Sequence, residues 1–546
     1  MPQHRNNNRL STGDALFLYL EREGMPLNVA SVSVFEGKIS LAACTRFIES
    51  KLPLIPRYRQ RVIAPPFNIG LPLWEYDPDF DIRNHVHHLT LKHGTDAELK
   101  AEAGKILSKM MDRQRPLWDF TLFHGLKGNR TGVVTRMHHC LADGLAGVSL
   151  MNVLMDASPE VRPHAPGKVQ AHAAARTRTP KFLDELISSS FSIAERVLKA
   201  QTEFFDVLQH ALAAAGHGTE EPTPHPHSEA GFTADAGIPS MAEFTRFMPE
   251  LTSTTQRLPF NTVCRGPQEF RWAQIPLAEI KAVKDACGAT VNDVVLAVVT
   301  SAIRRYVELK GVPVRGRLLR IVVPVNVRAN GKVKALGNRI TFLPVTIPLD
   351  LRNPRKLVAA IRERMAFLKN AHVAEFVGMF GTVLGAIPTA AQVLVGPIVS
   401  QLPLGLGNII CTNVPGPQFP LYLLGHKMLR CYPYVPIGGD LGLNCAVLTY
   451  DGTAYFGFSG NVQAAPGLGR LERFLIGSFA ELRKSVGIGP RRPRRRRPKA
   501  KAVTNTTPAP APDSVIPSVN RRPAQPAQAS ETTVQSGGEP PIRLAV

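Results

Sequence analysis

Two periods run through the hydrophobic positions of this chain, and together they divide it. Between Val29 and Phe35 the apolar residues suit a strand, whereas between Leu41 and Leu52 they recur at Leu41, Phe47, Ile48 and Leu52, the spacing of one helix face. Residues Thr131 to Met137 are rich in β-branched side chains and predict another strand. Leu145 to Met155, with Val148, Leu150, Met151, Val153 and Leu154, predicts a mostly buried helix. The pattern then breaks. A helical stretch from Lys181 to Ala215 is followed by a Pro-, His-, Gly- and Glu-rich segment from Gly216 to Pro239 that reads as loop or disorder. A second strand-and-helix block ends in a helix carrying Leu471, Phe474, Leu475, Phe479 and Leu482 on one face. Beyond Gly487 too few apolar residues remain to order the chain. The pattern predicts an α/β (α+β) protein with an N-terminal domain over 1–165, an insert over 166–258, a C-terminal domain over 259–486 and a disordered tail over 487–546.

Length agrees with two domains, since 546 residues exceed one ordinary core. The net charge of +22 is partly local: from Arg491 to the end, eleven Lys and Arg face three acidic residues. A basic surface attracts nucleic acid, anionic membranes or phosphorylated ligands such as coenzyme A, and charge alone does not choose among them. Met1 to Leu10 lacks an apolar core, so no secretory signal is expected. The seven cysteines (Cys44, Cys140, Cys264, Cys287, Cys411, Cys431 and Cys445) show no CxxC pair or zinc spacing and predict free thiols in a reducing compartment. Between Glu375 and His426 there is no Asp, Glu, Lys or Arg. Phe376 to Cys411 is long enough to span a bilayer, but repeated Gly and Pro favour short helices lining an apolar cavity or dipping into a membrane surface. An ordinary buried core is the plainer alternative.

The candidate chemistry lies at His138-His139-Cys140-Leu141-Ala142-Asp143-Gly144, between the strand ending at Met137 and the helix after Gly144. A histidine held there is able to deprotonate a hydroxyl as it attacks a thioester carbonyl, an assistance worth roughly 10²–10⁴ in rate. Asp143 suits a structural role, capping the helix or pairing with a buried arginine, and Gly144 leaves room for a turn and a ligand. An isolated pair of histidines is often chance. His85, His87 and His88 also cluster, along an apparent strand without Asp-Gly, and read as structural or surface residues. His217, His225 and His227 read as solvated loop. No metal site is expected at His138 and His139, because neighbouring strand residues point to opposite faces. Cys140 is a poor nucleophile candidate beside them.

At this motif the chain resembles the HHxxxDG coenzyme A-dependent acyltransferases related to chloramphenicol acetyltransferase and the condensation domains. Further motifs are similar to the bacterial wax ester synthase/diacylglycerol acyltransferase family: Leu10-Ser-Thr-Gly-Asp-Ala-Leu-Phe17, Pro116-Leu117-Trp118 with Gly125-Leu126, and Val291-Asn292-Asp293-Val294-Val295-Leu296. Pro324-Val325-Asn326-Val327-Arg328, Gly337-Asn338 with Leu343-Pro344, and Asn413-Val414-Pro415-Gly416-Pro417 complete the series, in order, over about residues 9 to 485. The resemblance implies two pseudo-symmetric chloramphenicol-acetyltransferase-like domains with a substrate tunnel at their interface. It implies His139 as general base, His138 as a positional residue, Asp143 as a structural residue orienting the loop, and Gly144 beside the acyl channel. Arg328 is the implied partner of Asp143. Asn292 and Asp293 match a motif that the resemblance marks as substrate-binding, while capping of a helix over Val294 to Val307 explains them equally well.

The implied reaction is direct transfer of a long-chain acyl group from acyl-CoA to diacylglycerol or a long-chain alcohol, with acyl-CoA as substrate and neither cofactor nor metal. The implied place is cytoplasmic, peripheral to the inner membrane or a lipid droplet. The basic run Arg491 to Lys499 would contact anionic lipid, or be no more than a solvated tail, and no specific nucleic acid is expected. Two alternatives stand beside this reading: a carrier-protein-bound acyl donor, and a weakly active protein whose work is to bind lipid surfaces.

Overall fold

The computed structural model describes residues 8–65, 70–141, 151, 153–160, 255–326, 340–370 and 407–489. Asp143, Gly144, Arg328, Gly337-Asn338, nearly all of the insert, the tail, and residues 376–406 of the uncharged stretch lie outside them, as does most of the helix expected from Leu145.

The strand expected over Val29 to Phe35 is β1 (Asn28–Glu36). The helix expected from Leu41 is α2 (Leu41–Lys51), and the β-branched run forms β6 (Arg130–His138). With β4 (Val86–Thr90), β5 (Trp118–Leu126), β11 (Tyr422–Leu423) and β12 (His426–Tyr434), these strands make a six-stranded sheet in the order β11-β12-β1-β6-β5-β4. Only the β4–β5 pair in it is parallel. A small hairpin, β2 (Gln60–Ile63) and β3 (Leu73–Tyr76), stands apart.

A second six-stranded sheet runs β7-β14-β13-β10-β8-β9. Its members are β7 (Gln268–Pro276), β8 (Leu318–Asn326), β9 (Ile340–Pro348), β10 (Ile409–Pro415), β13 (Leu443–Tyr450) and β14 (Thr453–Asn461), with β10 parallel to both neighbours. Every residue of β13 is buried, which explains its nearly continuous apolar sequence. The helices are α1 (Thr12–Leu20), α3 (Asp96–Leu107), α4 (Leu277–Ala286), α5 (Val291–Leu309), α6 (Pro354–Asn370) and α7 (Arg470–Ser485). The last of these is the predicted C-terminal amphipathic helix, with Leu471, Leu475, Phe479 and Leu482 facing the core. Among the described residues no single helix is long and apolar enough to cross a membrane.

Chain order and sheet membership part company at β11 and β12. They come from the C-terminal block yet complete the N-terminal sheet, with Val32 of β1 opposite Tyr432. From there β12 is stitched to the second sheet. Tyr432 stacks on Trp272 at 4.7 Å and its hydroxyl donates to Gln274 Oε1 at 3.0 Å, while Ser459 Oγ donates to the Val435 carbonyl at 2.6 Å. Gly457 lies where these layers touch: a Cβ there would overlap the Pro433 carbonyl oxygen and meet the Phe270 ring at 2.9 Å. Two ion pairs bridge the same blocks, Lys100–Glu472 and Arg430–Asp96, both at 2.7 Å.

Candidate active site

The HHxxxDG segment begins where β6 runs out of partners. The His138 amide donates to the Leu117 carbonyl at 3.0 Å, the His139 amide to the Leu27 carbonyl at 2.9 Å, and the Leu141 amide back to His138 at 3.0 Å. The chain therefore leaves the sheet in a tight turn clamped between the start of β5 and the residue before β1. Leu117 and Trp118 of the Pro-Leu-Trp motif supply one jaw. Trp118 is buried, its ring stacked between Tyr58 and His85 at 4.5 Å from each, and its indole N–H donates to the Tyr58 carbonyl at 2.7 Å.

His138 is fully buried and its Nδ1 accepts the Cys140 amide at 3.1 Å. His139 is half-buried, and its ring lies flat on Phe17 with centroids 3.8 Å apart and planes 11° from parallel. Phe17 is set by α1, whose start is capped by Ser11: its hydroxyl accepts the Asp14 amide at 3.1 Å and donates to the Asp14 carboxylate at 2.7 Å. Leu10, Ala15 and Leu18 pack with Leu117 and Cys140 in a small separate core. The opening motif thus packs directly against the histidine turn.

Burial pulls the His139 pKa down to about 4, and the nearby His138 pushes in the same direction. At neutral pH the imidazole is uncharged. Cys140 goes the other way: burial first, then the neighbouring Asp14 and Glu21, push its thiol well above the usual range. Burial thus holds it in the thiol form. Among the described residues no three His, Cys, Asp or Glu side chains are grouped to hold a metal.

Of the other histidines, His85 donates from Nδ1 to the Trp118 carbonyl at 2.8 Å inside the core, and burial lowers its pKa. His88 meets His124 at 2.8 Å near the far end of β5. Neither joins the His139 turn. Asn292 and Asp293 lie at the start of α5, which begins at Val291, three residues before the expected Val294. The Asp293 carboxylate accepts the Thr290 amide at 2.8 Å and the Thr290 hydroxyl at 2.7 Å, closing a capping box. Asn292 Oδ1 accepts from Asn413 Nδ2 at 3.4 Å, so the Asn-Asp and Asn-Val-Pro-Gly-Pro motifs meet each other at the second sheet. Gly416 of the latter motif is crowded against the Thr449 carbonyl, where any Cβ would collide.

Comparison with known proteins follows this geometry. A family model described as the wax ester synthase/diacylglycerol acyltransferase catalytic domain matches residues 10–295, and one for the WS/DGAT C-terminal domain matches residues 336–483. The chain belongs to the wax ester synthase/diacylglycerol acyltransferase family. A probable diacylglycerol O-acyltransferase of Mycobacterium tuberculosis is 26% identical over 489 residues, covering 89% of this chain and 97% of the relative. A second from that organism is 27% identical over 488 residues, covering 87% and 98%. The solved wax ester synthase/diacylglycerol acyltransferase of Marinobacter aquaeolei shares the fold, with a TM-score of 0.59 and 22% identity over 88% of this chain and 100% of that one. The first condensation domain of the calcium-dependent antibiotic synthetase shares it too, with a TM-score of 0.52 and 16% identity over 88% and 96%. The two-domain α/β architecture implied by the HHxxxDG resemblance is therefore the one observed.

One residue at this wax ester synthase-type site escaped the sequence reading. Glu21 lies directly behind His138, with Oε1 3.4 Å from Nε2. It follows the motif ending at Phe17 by four positions, and its only signal is an acid directly after the apolar run Ala15 to Leu20.

Proposed function

We propose that the protein transfers a long-chain acyl group from acyl-CoA to the hydroxyl of diacylglycerol, or of a long-chain alcohol, with His139 as general base. The observation that carries this is the uncharged His139 ring held against Phe17 at the end of β6. In the proposed step the acceptor hydroxyl gives its proton to His139 as its oxygen bonds to the thioester carbonyl carbon. The carbon–sulfur bond then breaks, and the imidazolium returns the proton to the departing coenzyme A thiolate. Both substrates occupy one complex, and no acyl-enzyme or resident cofactor takes part. Water kept from the ring favours transfer over hydrolysis.

His138 is the positional residue of this site. By the family resemblance Asp143 would orient the loop with Arg328 as its partner, and Gly144 would border the acyl channel. Diacylglycerol is water-insoluble, so the enzyme would work at the inner membrane or a lipid droplet on its cytoplasmic side. Arg491 to Lys499 would add about 1 kcal/mol per basic residue near anionic lipid.

The test gives purified wild type and His139→Ala palmitoyl-CoA with diacylglycerol and, separately, with hexadecanol, and measures ester by mass spectrometry. Ester from wild type, reduced by roughly 10²–10⁴ in a folded His139→Ala variant, is expected. Absence of ester and of released coenzyme A with both acceptors would refute an acyl-CoA donor, and a fully active His139→Ala would remove the base.

A further inference from the structure

We propose that Glu21 is a positioning residue for acyl transfer, holding the His138–His139 turn through the side chain of one histidine and the backbone of the other. The proposal rests on His139 as the base and adds the group that fixes it.

The Glu21 side chain is 1% exposed, yet three donors converge on its two oxygens. The Leu27 amide reaches Oε1 at 3.0 Å, Arg113 Nη2 reaches Oε2 at 3.0 Å, and His138 Nε2 lies 3.4 Å from Oε1. The last is at the long end of hydrogen-bond distance, so attraction between the N–H and the charge counts for more there than a close bond. The His138 tautomer follows from its other nitrogen. Nδ1 accepts the Cys140 amide, so in the neutral ring the proton is on Nε2, facing Glu21. The second route runs through Leu27, whose amide goes to Glu21 and whose carbonyl receives the His139 amide at 2.9 Å. Glu21 also caps the C-terminus of α1, its own amide donating to the carbonyl of Phe17, the residue stacked on His139. Side chain, strand start and helix end are thus tied to one carboxylate.

The charge is as specific as the position. Burial would raise the Glu21 pKa, but His138, Leu27 and Arg113 together hold it below the ordinary carboxylate value. Arg113, whose Nη2 also donates to the Leu18 carbonyl at 2.7 Å, keeps the buried charge paired. An amide in its place would have to turn its NH₂ toward Arg113, or toward Leu27 and His138, leaving donor against donor.

The experiment uses the full chain in five forms: wild type, Glu21→Gln, Glu21→Asp, His138→Ala and the Glu21→Gln/His138→Ala double variant. With palmitoyl-CoA and hexadecanol, Glu21→Gln is expected to lower kcat by about 10–100-fold. Both KM values should stay within about 3-fold, and Glu21→Asp should recover part of the rate. Combined with His138→Ala, the loss from Glu21→Gln should shrink, because the two residues act on one turn. A full-rate Glu21→Gln, or undiminished loss in the double variant, overturns the proposal. Nitrogen-15 NMR of histidine-labelled protein at pH 7 decides it without turnover, with the His138 ring assigned from the signal lost in His138→Ala. A bare Nδ1 and protonated Nε2 are expected in wild type, and a mixture of tautomers in Glu21→Gln. Any other form of His138 in wild type, or a spectrum unmoved by Glu21→Gln, overturns it. Should wild type form no ester, the proposed activity fails while the NMR still decides the role of Glu21.

Discussion

At the residue scale the site turns on how water is kept from one imidazole. His139 stands with its face on Phe17, and burial lowers its pKa to about 4. With its neutral form as the proposed base, log(kcat/KM) should be flat through neutral pH and fall with unit slope only as pH drops through about 4. An acid limb centred at the ordinary histidine value, about 6.5, would show that the ring is hydrated in the free enzyme. Replacing Phe17 with Ala uncovers one face of the ring, and the same profile should then move its acid limb upward while kcat falls by about 10-fold. Stability follows the same sign. Below about pH 6.5 the unfolded chain binds a proton that folded His139 refuses, so the folded state loses stability as pH falls toward 4. Of this arrangement the sequence displayed His139 in its motif and Phe17 in another, but not that the two rings touch. A stacking contact between positions 122 residues apart leaves no mark on local periodicity.

Elements were the most legible scale, because each depends on near neighbours. β1, α2 and β6 lie within a residue of their predicted bounds, and α7 carries the predicted apolar face, as expected where apolar period and end signals agree. The start of α5 is instructive. The Asn-Asp pair suggested capping from Val294, whereas the cap is Thr290, and Asp293 answers it from inside the first turn. Reading Thr290 and Asp293 as a box three residues apart would have placed the boundary. That geometry gives Asp293 a capping role that can be measured. Asp293→Ala should lower unfolding stability by about 1 kcal/mol, seen as a reduced denaturation midpoint, and leave KM for both substrates unchanged. A raised KM with unchanged stability would return Asp293 to the substrate site.

At the scale of the whole molecule the sequence was least informative, and the reason is topological. It marked a break near residue 165 and a second block after residue 258, but hydrophobic alternation in β12 does not say which strand it joins. Ser33 pairs with Cys431 across almost 400 positions, and that pairing makes the N-terminal sheet depend on the C-terminal block. Gly457 gives one measure of the join: Gly457→Val places a branched side chain against the Pro433 carbonyl and Phe270, and overpacking of this kind costs about 1–3 kcal/mol. A lowered melting temperature in calorimetry is expected, and an unchanged one would mean that the two layers separate freely there. A fragment gives the stronger measure. Residues 1–160 carry the histidine turn and α1, but without β12 they leave all of β1 an open edge, with Val32, Val34 and Phe35 losing their cover. Expressed alone, the fragment should aggregate. Expressed with residues 255–546, it should become soluble and purify as a complex, because the missing strand is supplied in trans. A monomeric 1–160 that unfolds cooperatively would show that the N-terminal half is self-sufficient, and β12 would then be ornament to a site that its own domain already holds.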